Sequence, residues 1–339
     1  MTKEPGFPRQ PDFSQLEAVL CRETPERPVL FEFFLNARLY ARANNNKPIP
    51  SDSTERLLYM ANAMAFYGYD HVQAPCPMVF ITSRPEMIET RSLNENRLIY
   101  DEESFCRFPW PDPDKIDYSS LDNVRGKLPG NMKLMFSGAG FLETVEDLLG
   151  YDNMCFMIYD DPELLRAVFH RVGELIVSHY AHALEHDTVG LIMANDDWGF
   201  NTQTLLPPDL LRELVLPAYK EVVRLSHQKG VPVVLHSCGC LDSVINDIVY
   251  DVGFDAWHSF QDNILPVEKA YEKWHKDIAI LGGLDVDFLV NESHENIKKR
   301  AKAMLELTGC HGYALGSGNS IPEYIPDDHF FAMTSVALE

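Results

Sequence analysis

Positive charge is scarce in this sequence. It has 29 Lys and Arg against 51 Asp and Glu, a formal net charge of −22. So acidic a surface repels phosphate backbones and anionic lipid heads, which argues against nucleic acid and membrane surfaces as partners. Long apolar runs are missing as well. No stretch reaches the roughly 18 apolar residues that a spanning helix needs. The opening MTKEPGFPRQPDFSQ lacks an apolar h-region, so no signal peptide is expected. The seven cysteines are odd in number and lack the spacing of a secreted disulfide framework, which points to a reducing cytoplasm. Internal repeats and low-complexity blocks are also lacking.

What is present is a regular alternation. Short apolar runs occur at Pro28–Phe34, His71–Pro77, Lys133–Gly138, Val189–Asn195, Pro232–His236, Ala256–Phe260, Ile278–Gly282 and Gly312–Gly316. Helical patterns separate most of them: Ser53–Tyr67, Asp161–Glu185, Pro208–Gln228, Leu241–Tyr250, Pro266–Lys276, His294–Thr308 and Asp327–Leu338. Strand and helix in alternation imply a parallel sheet, and eight such units imply an α/β fold of the (β/α)8 TIM-barrel type. All of 1–339 then forms one domain. An insertion at about 78–132, with a hairpin predicted around Asn94-Glu95-Asn96, is read as a cover of the barrel mouth; a stabilising surface excursion is the alternative.

In such a barrel the chemistry sits where the strands end. The predicted exits carry Glu32, Cys76, Ser137 followed by Glu143 and Glu146, Asn195-Asp196-Asp197-Trp198, His236 with Cys238, His258 with Ser259 and Gln261, Asp285, and Ser317 with Asn319. The sharpest pair is His236 and Cys238, in GVPVVLHSCGCLDSV. Two residues apart on an extended chain, they point the same way. Imidazole and thiolate suit zinc, which in catalytic sites takes about three protein ligands and keeps one place open. A hydrogen-bonded core histidine beside a small buried cysteine is the plainer alternative. Asp196 and Asp197 are adjacent, so at most one faces inward, as a ligand or as an orienter of His236; a capping role before Gly199 is the alternative. Glu143 and Glu146 share a predicted helix face and are either site groups or a solvated face.

The ensemble of FSGAGFLETVEDLLG, DDPELLRAVFHRV, NDDWGFNTQTLLPPDLLRELVLPAYKEVV, VPVVLHSCG, ILGGLD and GYALGSGNSIPEYIPDDHFFAM resembles, in order, the landmarks of the uroporphyrinogen decarboxylase superfamily. That resemblance covers nearly the whole chain and implies the (β/α)8 fold. It also implies one of two activities: metal-free decarboxylation of uroporphyrinogen, or zinc-dependent methyl transfer to or from a corrinoid protein. The decarboxylase pattern PVW-x-MRQAGRY, whose arginines bind substrate carboxylates, meets PVLFEFFLNARLY here, with Glu32 in place of an apolar residue and only Arg38 nearby. Its catalytic Asp would fall near Pro77 and its pocket Tyr near Glu146. The methyltransferase pattern, H-x-C and a later Cys, is met by His236 and Cys238, but Asn319 stands where the third ligand is implied. Cys310 starts the last strand and lies roughly 20 Å away, at about 3.3 Å per residue.

These readings favour a zinc-dependent methyltransferase moving a methyl group between a small methylated (methoxy or methylamine type) molecule and a corrinoid (cobalamin) carried by a partner protein. The expected catalytic residues are His236, Cys238 and Asp196. Substrate contacts are expected from Glu32, Asp197, His258, Asn319 and Asp285, and zinc ligands from His236, Cys238 and a further group such as Glu146. A homodimer is compatible with the superfamily. A metal-free decarboxylase, or a non-catalytic tetrapyrrole or corrinoid-protein binder, is the alternative.

Overall fold

The computed structural model describes residues 9–74, 77–78 and 97–339. Cys76 and the hairpin predicted around Asn94-Glu95-Asn96 lie outside the described residues. Among those described, seven parallel strands form one sheet in sequential order: β1 (His71–Ala74), β2 (Lys133–Ser137), β3 (Val189–Asn195), β4 (Val233–His236), β5 (Ala256–His258), β6 (Ala279–Leu281) and β7 (Tyr313–Ala314). Each follows its neighbour through a helical crossover, as parallel pairing demands. The predicted helices recur, with ends set by local chemistry. Asp161 caps Pro162–Ala183 by accepting from the Leu164 amide, with Pro162 in the first turn. His294–Thr308 ends at Gly309 in the left-handed region. The stretch predicted as one helix from Pro208 to Gln228 is interrupted by a π-helical turn over Leu211–Val215, and Leu241–Tyr250 forms turns that lead into another at Asp247–Val252.

The predicted strand over Pro28–Phe34 is corrected. The segment makes a single parallel bridge, Leu30 with Leu315, and Leu35 just beyond it makes another with Ile321. Phe31 N donates to Leu315 O (2.9 Å) and Leu315 N to Val29 O (2.8 Å). Toward β1 a side chain replaces the ladder, because His71 Nε2 meets Glu32 O at 3.0 Å. The seven strands form one continuous ladder, with a register shift between Leu134 and Met135, and the eighth segment is joined to β7 without forming a full strand.

Strand alternation divides the core in two. Met135, Leu191, Met193, Val234, Ala256, Ala279, Leu281 and Ala314 cluster on one face with Phe31, Phe33 and the helix Phe13–Leu20. Leu134, Phe136, Ile192, Ala194, Val233, Leu235, Trp257 and Ile280 pack on the other, against the helices. Each fully buried Leu, Ile or Met side chain contributes about 1.5–3 kcal/mol. No helix among the described residues is long and apolar enough to cross a membrane.

Candidate metal centre

That alternation sets the site. Val234 faces the inner cluster, so His236 does too; Ala256 brings His258 to the same side. On β3, Leu191 and Met193 face inward, which sends Asp197 inward and Asp196 toward the helices. The structure brings together His236, Cys238 and Asp197, with one ligand atom of each within 4.8 Å of the others.

Every member is held from behind. Asp197 Oδ1 accepts from the Cys238 amide at 2.8 Å. His236 Nδ1 lies 2.7 Å from His258 Nδ1, leaving Nε2 for the site, and Phe33 covers its ring at 4.9 Å between centroids. Cys238 Sγ is 3.1 Å from Ser259 Oγ, and Asn319 Nδ2 donates to it at 3.4 Å. The loops after β3 and β4 cross backbone to backbone, with Gly199 N donating to Cys238 O (3.1 Å) and Cys240 N to Phe200 O (2.7 Å). A Cβ on Gly239, at φ +89°, would lie 2.2 Å from the Gly199 carbonyl, so this crossing requires glycine.

Burial pushes His236 down to about 4, a little offset by Asp197, so its imidazole is neutral and able to ligate. Burial, and then the Asp197 charge, push the Cys238 thiol up to about 12. Such a sulfur is protonated at neutral pH unless a cation binds it. One imidazole, one sulfur and one carboxylate, each oriented by a further hydrogen bond, fit a zinc ion with a fourth place open.

The other expected residues are placed differently. Asp196 is fully buried and caps the helix Phe141–Leu149, accepting from Leu142 N (3.0 Å) and Glu143 N (3.1 Å) and from Trp198 Nε1 (2.6 Å). Burial raises it to about 7. Glu146, expected as a ligand, is outside the cluster; its charge is felt by Tyr151 and Cys155, and Asp197 takes the acidic place. The neighbouring Glu143 is the one whose charge reaches Cys238. Asp285 caps Val286–Asn291 through Phe288 N (3.1 Å) and accepts from Asp262 N (2.8 Å). Glu32 and His258 are both 0 % exposed, so neither meets a substrate in this conformation. Sequence reasoning gave Ser259 no role; its signal is a backbone φ of +86°, invisible in composition.

The model for uroporphyrinogen decarboxylase matches residues 96–339. The chain belongs to that family. The resemblance read from the ordered motifs is therefore correct at this level. No curated protein matches the chain. Among solved structures, this family member is similar to a methyltransferase from Methanosarcina mazei, with a TM-score of 0.68 and 16% identity over 96% of this chain and 97% of the other. A putative vitamin-B12 independent methionine synthase from Listeria monocytogenes has a TM-score of 0.49 and 11% identity over 92% and 97%. At such identities the first likeness shows a shared fold.

Beside the cluster this family member has a polar cleft of about 310 Å3, lined by Gln261, Asn263, Asp285, Asn319, Ser320 and Tyr324. Asn319 links the two, since its amide also reaches Cys238. A larger, more apolar hollow of about 620 Å3 lies between the helices Pro162–Ala183 and Leu216–Gln228 and holds none of the clustered groups.

Proposed function

We propose that this protein is a zinc-dependent methyltransferase of a corrinoid-dependent system. In it a methyl group passes between a small methoxy- or methylamine-type molecule and a corrinoid carried by a partner protein. The observation that carries the reading is the convergence of His236, Cys238 and Asp197 within 4.8 Å. Whole-chain similarity to a methyltransferase fold and the H-x-C motif support it. Residues 28–34, bridged to β7 at Leu30, are read as taking the eighth place of a (β/α)8 barrel without completing a strand; the insertion predicted at about 78–132 lies partly outside the described residues.

When bound, zinc supplies a Lewis acid that withdraws electrons from the oxygen or nitrogen bearing the methyl group. His236, Cys238 and Asp197 would hold it. A set with one sulfur, one nitrogen and one oxygen is harder than a two-thiolate set and favours an oxygen or nitrogen substrate over a thiol. The Asn319 amide donates to the sulfur and draws charge from it, and the Ser259 hydroxyl shares a hydrogen bond with it. The amides and hydroxyls of the adjoining cleft orient the small molecule.

The decarboxylase alternative needs cations for a polyanionic substrate. Arg38, the arginine near the relevant segment, is held by Glu323 (2.8 Å) and Asp327 (2.9 Å). Metal content by mass spectrometry tests the proposal, on protein purified without chelator and on Cys238→Ser. About one zinc per chain, lost in the variant, is expected. Absence of zinc even after its addition would overturn the metal reading. With reduced corrinoid protein and a panel of methyl donors, formation of methylcobalamin is expected; no reaction across the panel would overturn the activity.

A further inference from the structure

We infer that His258 is a positioning residue: it fixes His236 as the Nδ1–H tautomer, so that the Nε2 lone pair faces the metal place. The proton placement follows from the geometry alone; its purpose rests on the metal reading above.

Two buried imidazoles meet nitrogen to nitrogen, His236 Nδ1 to His258 Nδ1 at 2.7 Å. A hydrogen bond there needs one proton, carried by one ring and accepted by the other. Both rings are buried, and burial disfavours a charge on either. If His258 donated, the His236 proton would sit on Nε2, and an N–H instead of a lone pair would point at Cys238 and Asp197.

The far side of His258 decides between the two. Its Nε2 is buried, with no hydrogen-bond partner among the described residues, and the Ser317 carbonyl borders the same space. A Cβ on Gly282 would lie 2.2 Å from Ser317 O and 3.0 Å from His258 Nε2, so the bare glycine keeps these two atoms facing one space. A carbonyl oxygen only accepts. A bare Nε2 opposite it would leave two buried acceptors together, a costly arrangement. His258 therefore carries its proton on Nε2, accepts at Nδ1, and receives the His236 proton there.

The carbonyl is itself anchored. Glu32 accepts from Ser317 N at 2.7 Å and from Ser317 Oγ at 2.6 Å, and Gly283 N donates to Ser317 O at 2.8 Å. The inferred Nε2–H of His258 therefore faces a carbonyl that Glu32 and Gly283 hold in place. Metal-binding histidines ordinarily give their second N–H to a carboxylate or carbonyl; here a second histidine relays that contact.

Long-range proton–nitrogen NMR of the full-length, metal-free protein with 15N-labelled histidine tests this without any variant. The expected spectrum has His258 protonated on Nε2 and His236 on Nδ1. A His236 ring protonated on Nε2 would overturn the inference. Zinc titration tests the purpose. His258→Leu should weaken zinc binding about 10–100-fold, and His258→Gln, whose amide oxygen can still accept, should recover much of it. Wild-type affinity in the Leu variant would overturn the positioning role. If wild-type protein takes up no zinc, the metal reading fails, and the NMR result alone decides the proton placement.

Discussion

The Asn319 amide nitrogen stands 3.4 Å from the Cys238 sulfur, and its orientation is fixed because Asn319 Oδ1 accepts from Ser320 Oγ at 3.2 Å. Where the superfamily pattern implies a second thiolate, this chain places a hydrogen-bond donor aimed at the first one. Asn319→Cys should therefore add a sulfur ligand. Zinc affinity should rise by tenfold or more, about 1.4 kcal/mol per tenfold. The cobalt-substituted variant should absorb more strongly in its sulfur-to-metal charge-transfer band. An unchanged band would mean that position 319 does not reach the metal.

Asp196 and Asp197 should separate stability from metal binding. Removing the Asp196 carboxylate strips a buried cap from Leu142 N and Glu143 N and a partner from Trp198 Nε1. Asp196→Ala should lower unfolding free energy by about 2–4 kcal/mol, measured by denaturant titration, while the folded fraction still takes up zinc. Asp197→Ala loses the contact to the Cys238 amide, about 1 kcal/mol, and its zinc affinity should fall at least tenfold. The reverse pattern would mean that the two roles are exchanged.

This division was half visible beforehand. Strand period two required the adjacent aspartates to face opposite ways, and it made His236 and Cys238 point together. Choosing the inward aspartate needed the parity of Leu191 and Met193, which only packing against Phe31 and Phe33 reveals. The seven strands were legible because their apolar runs are buried on both faces; Val189–Asn195 keeps its predicted bounds and no other boundary moves by more than three residues. Pro28–Phe34 was not, because one edge of that segment is met by the His71 ring. Glu32 and His258 lay at strand exits, as substrate contacts would. That they turn instead to Ser317 and His236 is set by contacts distant in sequence, which no local pattern carries.

Glu32 makes stability depend on pH. Burial raises its carboxyl to about 8, against the opposing bonds from Ser317, and the ordinary value in an unfolded chain is 4.5. The folded state therefore holds a proton that the unfolded state releases. The contribution of this group is fully present below pH 4.5, declines as pH rises from there to about 8, and is constant above. Glu32→Gln cannot ionise and should flatten this decline, which amounts to several kcal/mol at most. Unfolding free energies from about pH 5 to 9 would show it. Parallel profiles for wild type and variant would mean that Glu32 is ionised in the fold.

Ser259 holds its hydroxyl 3.1 Å from Cys238 Sγ in a backbone conformation, φ +86°, that a residue with a Cβ adopts with strain. Two substitutions divide strain from hydrogen bonding. Ser259→Ala keeps the strained backbone and removes the hydroxyl. Ser259→Gly removes both. The glycine variant should be the more stable of the two by about 1–2 kcal/mol, while both lose the same hydrogen-bond partner of the sulfur and shift zinc affinity alike. Equal stability would mean that the backbone stores no strain there. Unequal zinc affinities would mean that the strained conformation, and not only the hydroxyl, sets the place of Cys238.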